Sequence, residues 1–172
     1  MSLTRKIISG DDLMVFDGKG KSIAFATSHS LSISVDLESI AHKDVGIWSA
    51  QTPGKINWEI TSEHLYSQAD FDDLFTAMTN KTSLTIFFGL KSGYEGSQAY
   101  SQDATVNVTD DGNWTPDSTA KMYYGKAYLT SIEVNAATGE KATFSVTFTG
   151  DGAISHTVYA ATSSTTDKII TS

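Results

Sequence analysis

The chain has no cysteine among its 172 residues, which excludes disulfides and thiolate metal sites. No apolar run approaches the roughly 20 residues that a membrane helix needs. The N-terminus, MSLTRKIISGDDL, lacks the apolar core of about 7–15 residues that a secretory signal requires. Synthesis in the cytoplasm and no membrane partner are therefore expected. Cations are also scarce: Lys and Arg total 12 against 20 acids, for a formal net charge of −8. Between Thr61 and Ala120, nine acids face only Lys81 and Lys91. A protein that grips nucleic acid by its phosphates needs clustered Lys and Arg, and this chain has no such cluster. The acidic balance suits solubility, or a surface that must not stick to DNA.

Signatures of catalysis are missing too. The four histidines, His29, His42, His64 and His156, form no i, i+2 or i, i+4 pair, so nothing has zinc-ligand spacing. No G-x-S-x-G elbow is present. Glu59 and Glu63 on a strand stand about 13 Å apart, beyond the roughly 5–9.5 Å of a glycosidase pair; they read as solvated charges. Asp110-Asp111-Gly112-Asn113 lacks the spacing and distal Glu of a calcium loop. Gly18 and Gly20 have no third glycine and no following helix, so a phosphate cradle is unsupported. The expectation is a chain with no enzyme activity, no cofactor and no metal.

What is present is alternation. Ala142, Phe144, Val146 and Phe148 alternate with Lys141, Thr143, Ser145, Thr147 and Thr149, the period of a strand. The preceding arm sets Tyr128, Thr130, Ile132 and Val134 against Leu129, Ser131, Glu133 and Asn135, and Gly139 in the link can take a positive φ. Leu31, Ile33, Val35 and Leu37 alternate with Ser32, Ser34, Asp36 and Glu38; Ile56, Trp58 and Ile60 with Asn57, Glu59 and Thr61; Leu84, Ile86 and Phe88 with Ser83, Thr85 and Phe87. Leu13–Phe16 is a short strand, with Ile23–Ala26 as its hairpin partner, and Ala104–Val108 is another candidate. Residues 69–79 alone switch to helical spacing, through Phe71, Leu74, Phe75 and Met78. Asp70 is the expected N-cap, and Asp72 and Asp73 suit the positive helix end.

Residues 1–12 read as an N-terminal arm, 39–54 as a long loop, and 155–172 as a strand end and mobile tail around one domain, 1–172. Many short strands, one helix and Gly-rich turns indicate a mainly β protein: an antiparallel β-sandwich or barrel with one α-helix packed against it. Trp58 shares an apolar face and belongs to the core. Trp48 and Trp114 fall in loops, where an exposed indole signals contact with a glycan or with another subunit. A carbohydrate-binding module is thus one alternative.

The order of parts resembles the major tail tube proteins of long-tailed bacteriophages, of the Gram-positive-phage type. The opening SGDDLMVFDGKGKSIAFATSHSLSISVD looks like that family's first strands. KINWEITSEHLYS, the helix DFDDLFTAMTNK and the strand SLTIFFGL follow, and GKAYLTSIEVNAATGEKATFSVTFTGDGAI closes the match. Residues 92–122 depart most from the pattern and read as an insertion. The resemblance implies a structural virion protein whose copies form six-fold rings, stacked into a hollow phage tail tube around a tape-measure protein, with DNA passing through unbound. A tube protein of type VI secretion systems is a related alternative. On this reading Val45, Gly46, Ile47, Trp48 and Ser49 make subunit or ring contacts. The lumen wall is Ser32, Ser34, Asp36, Asn57, Glu59, Thr61, Glu63, Ser83, Thr85, Thr143, Ser145 and Thr147.

Overall fold

Alternating sequence becomes long antiparallel strand. The structure, a computed structural model, describes residues 8–18, 20, 22–23, 26–40, 46, 48–91, 116–117 and 120–158. The elements run β1 (Leu13–Phe16), β2 (Ala26–Ile40), β3 (Ala50–Leu65), α1 (Gln68–Thr79), β4 (Ser83–Leu90), β5 (Lys121–Asn135) and β6 (Thr143–Val158). Hydrogen bonding joins the six described strands in the order β1-β4-β5-β6-β3-β2, every pair antiparallel.

The sheet folds over on itself because β5 and β6 each serve two neighbours in turn. Leu65–Glu59 of β3 pair with Thr143–Thr149 of β6, whereas β4 pairs only with the Tyr123–Tyr128 half of β5. Register shifts at Tyr124/Lys126 and Leu129/Ser131 of β5 mark where the direction changes, as bulges do where strands pass between packed sheets. Val15 and Ile86 from one half meet Trp58, Ile60, Phe144, Val146 and Phe148 from the other in one core, and Leu74 of α1 joins them. The expected mainly β fold with one packed helix is what forms. A smaller cluster, Phe16, Phe87 and Met122, fills the opposite face of the β4 half.

Several boundaries differ from expectation. The 39–54 loop shrinks at both ends: Leu37–Ile40 pair with Pro53–Ala50. Pro53 is tolerated there because β6 leaves β3 after Glu59, so only one side of β3 has to supply ladder hydrogen bonds. Of the expected hairpin partner Ile23–Ala26, residues 24 and 25 lie outside the described residues and Ala26 opens β2; Ser22 bridges Phe16 and the Ile23 N–H reaches the Val15 carbonyl, while β1 pairs with β4. The helix N-cap is Ser67, with Asp70 inside the first turn. β6 does not stop at Gly152 but continues to Val158, which takes residues 155–158 out of the expected tail. Gly10–Asp12 of the expected arm form a 3-10 turn. The Lys91 N–H donates to the Asp12 carbonyl at 2.9 Å, and its ammonium lies 3.6 Å from the Asp12 carboxylate. The candidate strand Ala104–Val108 and Trp114 lie outside the described residues; Lys121 and Met122 open β5.

In β5 the alternation slips. Leu129 opposes Phe148 and Ser131 opposes Thr147, leaving Thr130 as an extra residue between them. Leu129 is therefore buried and Ile132 packs on the same core, although they were expected on opposite faces. The Thr130 hydroxyl donates to the Thr147 carbonyl at 3.2 Å and lies 2.9 Å from the Thr149 hydroxyl.

Candidate functional site: a hydroxyl wall and a projecting hairpin

Four strands, β2-β3-β6-β5, share one face that turns away from the core. Residues directly opposed across antiparallel strands point to the same side, so the register spells out rows. Ser28, Glu63, Ser145 and Glu133 form one; Ser30, Thr61, Thr147 and Ser131 the next; Ser32, Glu59, Thr149 and Tyr128 a third; Ser34 and Asn57 a fourth. Thr143 faces Asn135 at the turn end. The wall is knitted by short polar contacts: the Asn57 amide donates to the Asp36 carboxylate at 3.0 Å, and the Ser28 hydroxyl to the Glu63 carboxylate at 3.1 Å. No Lys or Arg opposes Glu59, Glu63 or Glu133 in these rows.

The expected wall residues Ser32, Ser34, Asp36, Asn57, Glu59, Thr61, Glu63, Thr143, Ser145 and Thr147 thus come together on one face. Ser83 extends the third row through Tyr128. Thr85 does not belong with them: it is half-buried beneath Gly18, on the side occupied by the Phe16, Phe87 and Met122 cluster. Sequence reading missed Ser28, Ser30, Thr130, Ser131, Glu133 and Thr149 as wall members. Ser28 and Ser30 keep the parity of Ser32 and were legible; Thr130 was hidden by its bulge.

Among the described residues, both edges of the wall lack a partner strand. β2 is a terminal strand, and the Leu129–Asn135 half of β5 pairs with β6 alone. Beyond Trp58, β2 and β3 continue as a two-stranded ribbon whose core face meets no other strand among the described residues. Ile33, Val35, Leu37 and Ile56 are all exposed there, and Trp48 near the tip is 81% exposed. Such a ribbon is marginal in water by itself. Of the expected contact residues, Gly46, Trp48 and Ser49 are exposed at this tip; Val45 and Ile47 lie outside the described residues. Trp58 is 4% exposed, so it cannot serve a sugar-stacking face.

A second polar feature sits inside the body. His64 is fully buried, stacked on Phe144 at 4.9 Å between ring centres, with His29 edge-on at 6.2 Å. His29 Nδ1 lies 2.6 Å from the Ser62 hydroxyl, and neither ring nitrogen of His64 has a hydrogen-bond partner among the described residues. Burial pushes both imidazoles down to about 4 from the usual 6.5, and for His64 the neighbouring His29 adds to the effect. Sequence pattern alone gave no sign of this pair, because the residues meet only through the β2–β3 register. Among the described residues no three His, Asp or Glu side chains cluster to hold a metal.

Comparison with known proteins agrees with this architecture. Residues 11–156 match the family described as phage tail tube protein. No curated protein sequence matches the chain. Among solved structures, a chain from the virion of the native gene transfer agent particle superposes with a TM-score of 0.63 at 14% identity, over 88% of this chain and 100% of its own. The tail of the empty gene transfer agent particle, refined with C6 symmetry, gives 0.62 at 15%, over 88% and 100%. The SPP1 tail tube gives 0.58 at 12%, over 88% and 80%.

Proposed function

The chain belongs to the phage tail tube protein family, and from that premise we propose how it builds the tube and what passes through it. The observation that carries the proposal is the hydroxyl and carboxylate wall with both edges unpaired among the described residues. β2 of one copy sets its free edge beside the Leu129–Asn135 half of β5 in the next. Repeating that contact around a six-fold ring closes a barrel and removes every open edge. The wall then lines the lumen. Small hydroxyls keep it wet, and Asp36, Glu59 and Glu63 repel phosphate, so DNA slides through without being held. Rings stack through the β2–β3 ribbon, with Trp48 at its tip. Residues 1–172 act as one such domain. A tape-measure protein occupies the lumen before DNA does, and the finished location is the virion tail after synthesis in the host cytoplasm. The protein works as a conduit, not a catalyst.

Negative-stain microscopy of concentrated protein tests this. Rings or tubes with a central channel are expected. Protein that stays monomeric under all crowding and salt conditions, or assembles into solid fibres, would refute the proposal.

A further inference from the structure

The two ends of the folded sheet are finished differently. At one end α1 closes the core: Phe71 packs on the core cluster, with Tyr66 at 5.5 Å and Phe75 at 6.3 Å between ring centres. Tyr66 and Phe75 remain 41% and 52% exposed. At the other end, where the β2–β3 ribbon and the β5–β6 end diverge, no described element closes the mouth. An open groove of about 400 Å³ lies there, lined by Ile33, Tyr123, Ile154, Ser155 and His156. Ile33 and Tyr123 are half-exposed. β5 runs from one end to the other, since Tyr123 lines the groove and Val134 opposes Phe144 beside α1. At about 3.3 Å per residue those ends are roughly 35 Å apart.

Charge follows the same polarity. Asp72 is exposed on α1 beside Phe75 and makes no ion pair among the described residues. Asp72 and Phe75 are i, i+3 neighbours and so share a helix face. Lys121 is exposed at the start of β5, two residues from Tyr123, and likewise makes no ion pair among the described residues. Nearby Lys126 already faces Asp151 across β5–β6. One end thus offers aromatic knobs with an acid, the other an apolar groove with a cation.

We propose that the groove is the seat for α1 of a second copy, with Phe75 against Tyr123 and Ile33, and Asp72 facing Lys121. The contact is heterologous, and one that does not close on itself generates a filament axis. It rests on the tube reading only in supplying the direction in which rings stack.

The absence of native cysteine makes the test clean. Phe75→Cys and Tyr123→Cys chains are prepared separately, mixed at high concentration and oxidised. A disulfide needs Cα atoms within about 7 Å, and a mixed disulfide can form only between copies. The mixed product is expected severalfold above either same-residue dimer; a statistical mixture, or a predominance of same-residue dimers, would overturn the proposal. In parallel, Lys121→Glu and Asp72→Lys should each shorten tubes at least about tenfold while leaving rings intact, as loss of a central contact does. The two changes together should restore length. No restoration means that the groove receives something else, whether another tail protein or a different segment of this chain. If wild-type protein forms neither ring nor tube, the tube reading fails, and the disulfide ratio still decides this contact. If rings form without the mixed disulfide, only this contact is wrong.

Discussion

The indole N–H of Trp58 donates to the carbonyl of Gly152 at 3.0 Å. Trp58 stands where β6 leaves β3, and Gly152 has φ of +82° just beyond. The ring lies flat over Gly150 and Gly125, where any Cβ would fall inside it. One side chain thereby wedges the two halves of the sheet apart and fixes the angle between them.

That wedge should be intolerant of crowding. Gly150→Ala is expected to cost at least about 1–3 kcal/mol, the range for overpacking a filled core. Trp58→Phe should cost a similar amount, because the smaller ring leaves a void in the core and gives up the hydrogen bond to Gly152. Urea midpoints with unchanged slopes would report both, and a Gly150→Ala chain as stable as the parent would contradict the wedge.

Stability should fall in mild acid. His29 and His64 sit near 4 when folded against 6.5 when free. Between those values the unfolded chain binds protons that the folded chain refuses. Their contribution is therefore complete above about pH 6.5, declines as pH drops toward 4 and levels off below. For His64 the difference is worth roughly 3 kcal/mol. His64→Phe keeps a ring on Phe144 and should flatten the slope of unfolding free energy between pH 7 and 4. Parallel slopes in parent and variant would exclude the buried imidazole as its source.

Reversing the wall charge should change transport without unfolding the subunit. Asp36 and Glu59 are both exposed, so Asp36→Lys with Glu59→Lys is expected to alter stability by about 0.5 kcal/mol or less. Assembled tubes should then retain DNA in a salt-sensitive manner. Free passage of DNA, or a reconstruction with those lysines on the outer surface, would show that the wall does not line the channel.

At the ribbon tip, Trp48 is almost wholly solvated in the single chain, so Trp48→Ala should leave the melting temperature unchanged. Deleting Val45–Ser49 should likewise give a folded subunit, and both changes should suppress tube growth. Normal tubes from the deletion would remove the ribbon from ring stacking.

Much of this fold could be read before any coordinates. The alternation in β2, β3 and β6 identified the wall because each strand has one face buried and the other in water, and burial enforces period two. The stripe Phe71, Leu74, Phe75, Met78 identified α1 for the same reason at helical spacing. What escaped was set by partners distant in sequence. Thr130 is extra only with respect to β6, Pro53 is acceptable only because β6 has turned away, and His29 meets His64 only across a hairpin. Thr85 carries the same small polar side chain as the wall residues, and what separates it is Gly18 lying over it.

The central place of β6 has a consequence in time. It is the last strand described, and it lies between β5 and β3, contributing Phe144, Val146 and Phe148 to the core. Until the ribosome has released that stretch, β2–β3 is a hairpin with one greasy side and β5 has no inner neighbour. The newborn chain can therefore offer its sisters neither a finished wall nor correct free edges, so recruitment into a growing tail must wait until β6 has emerged. An unfinished chain is thereby kept from capping or poisoning the polymer.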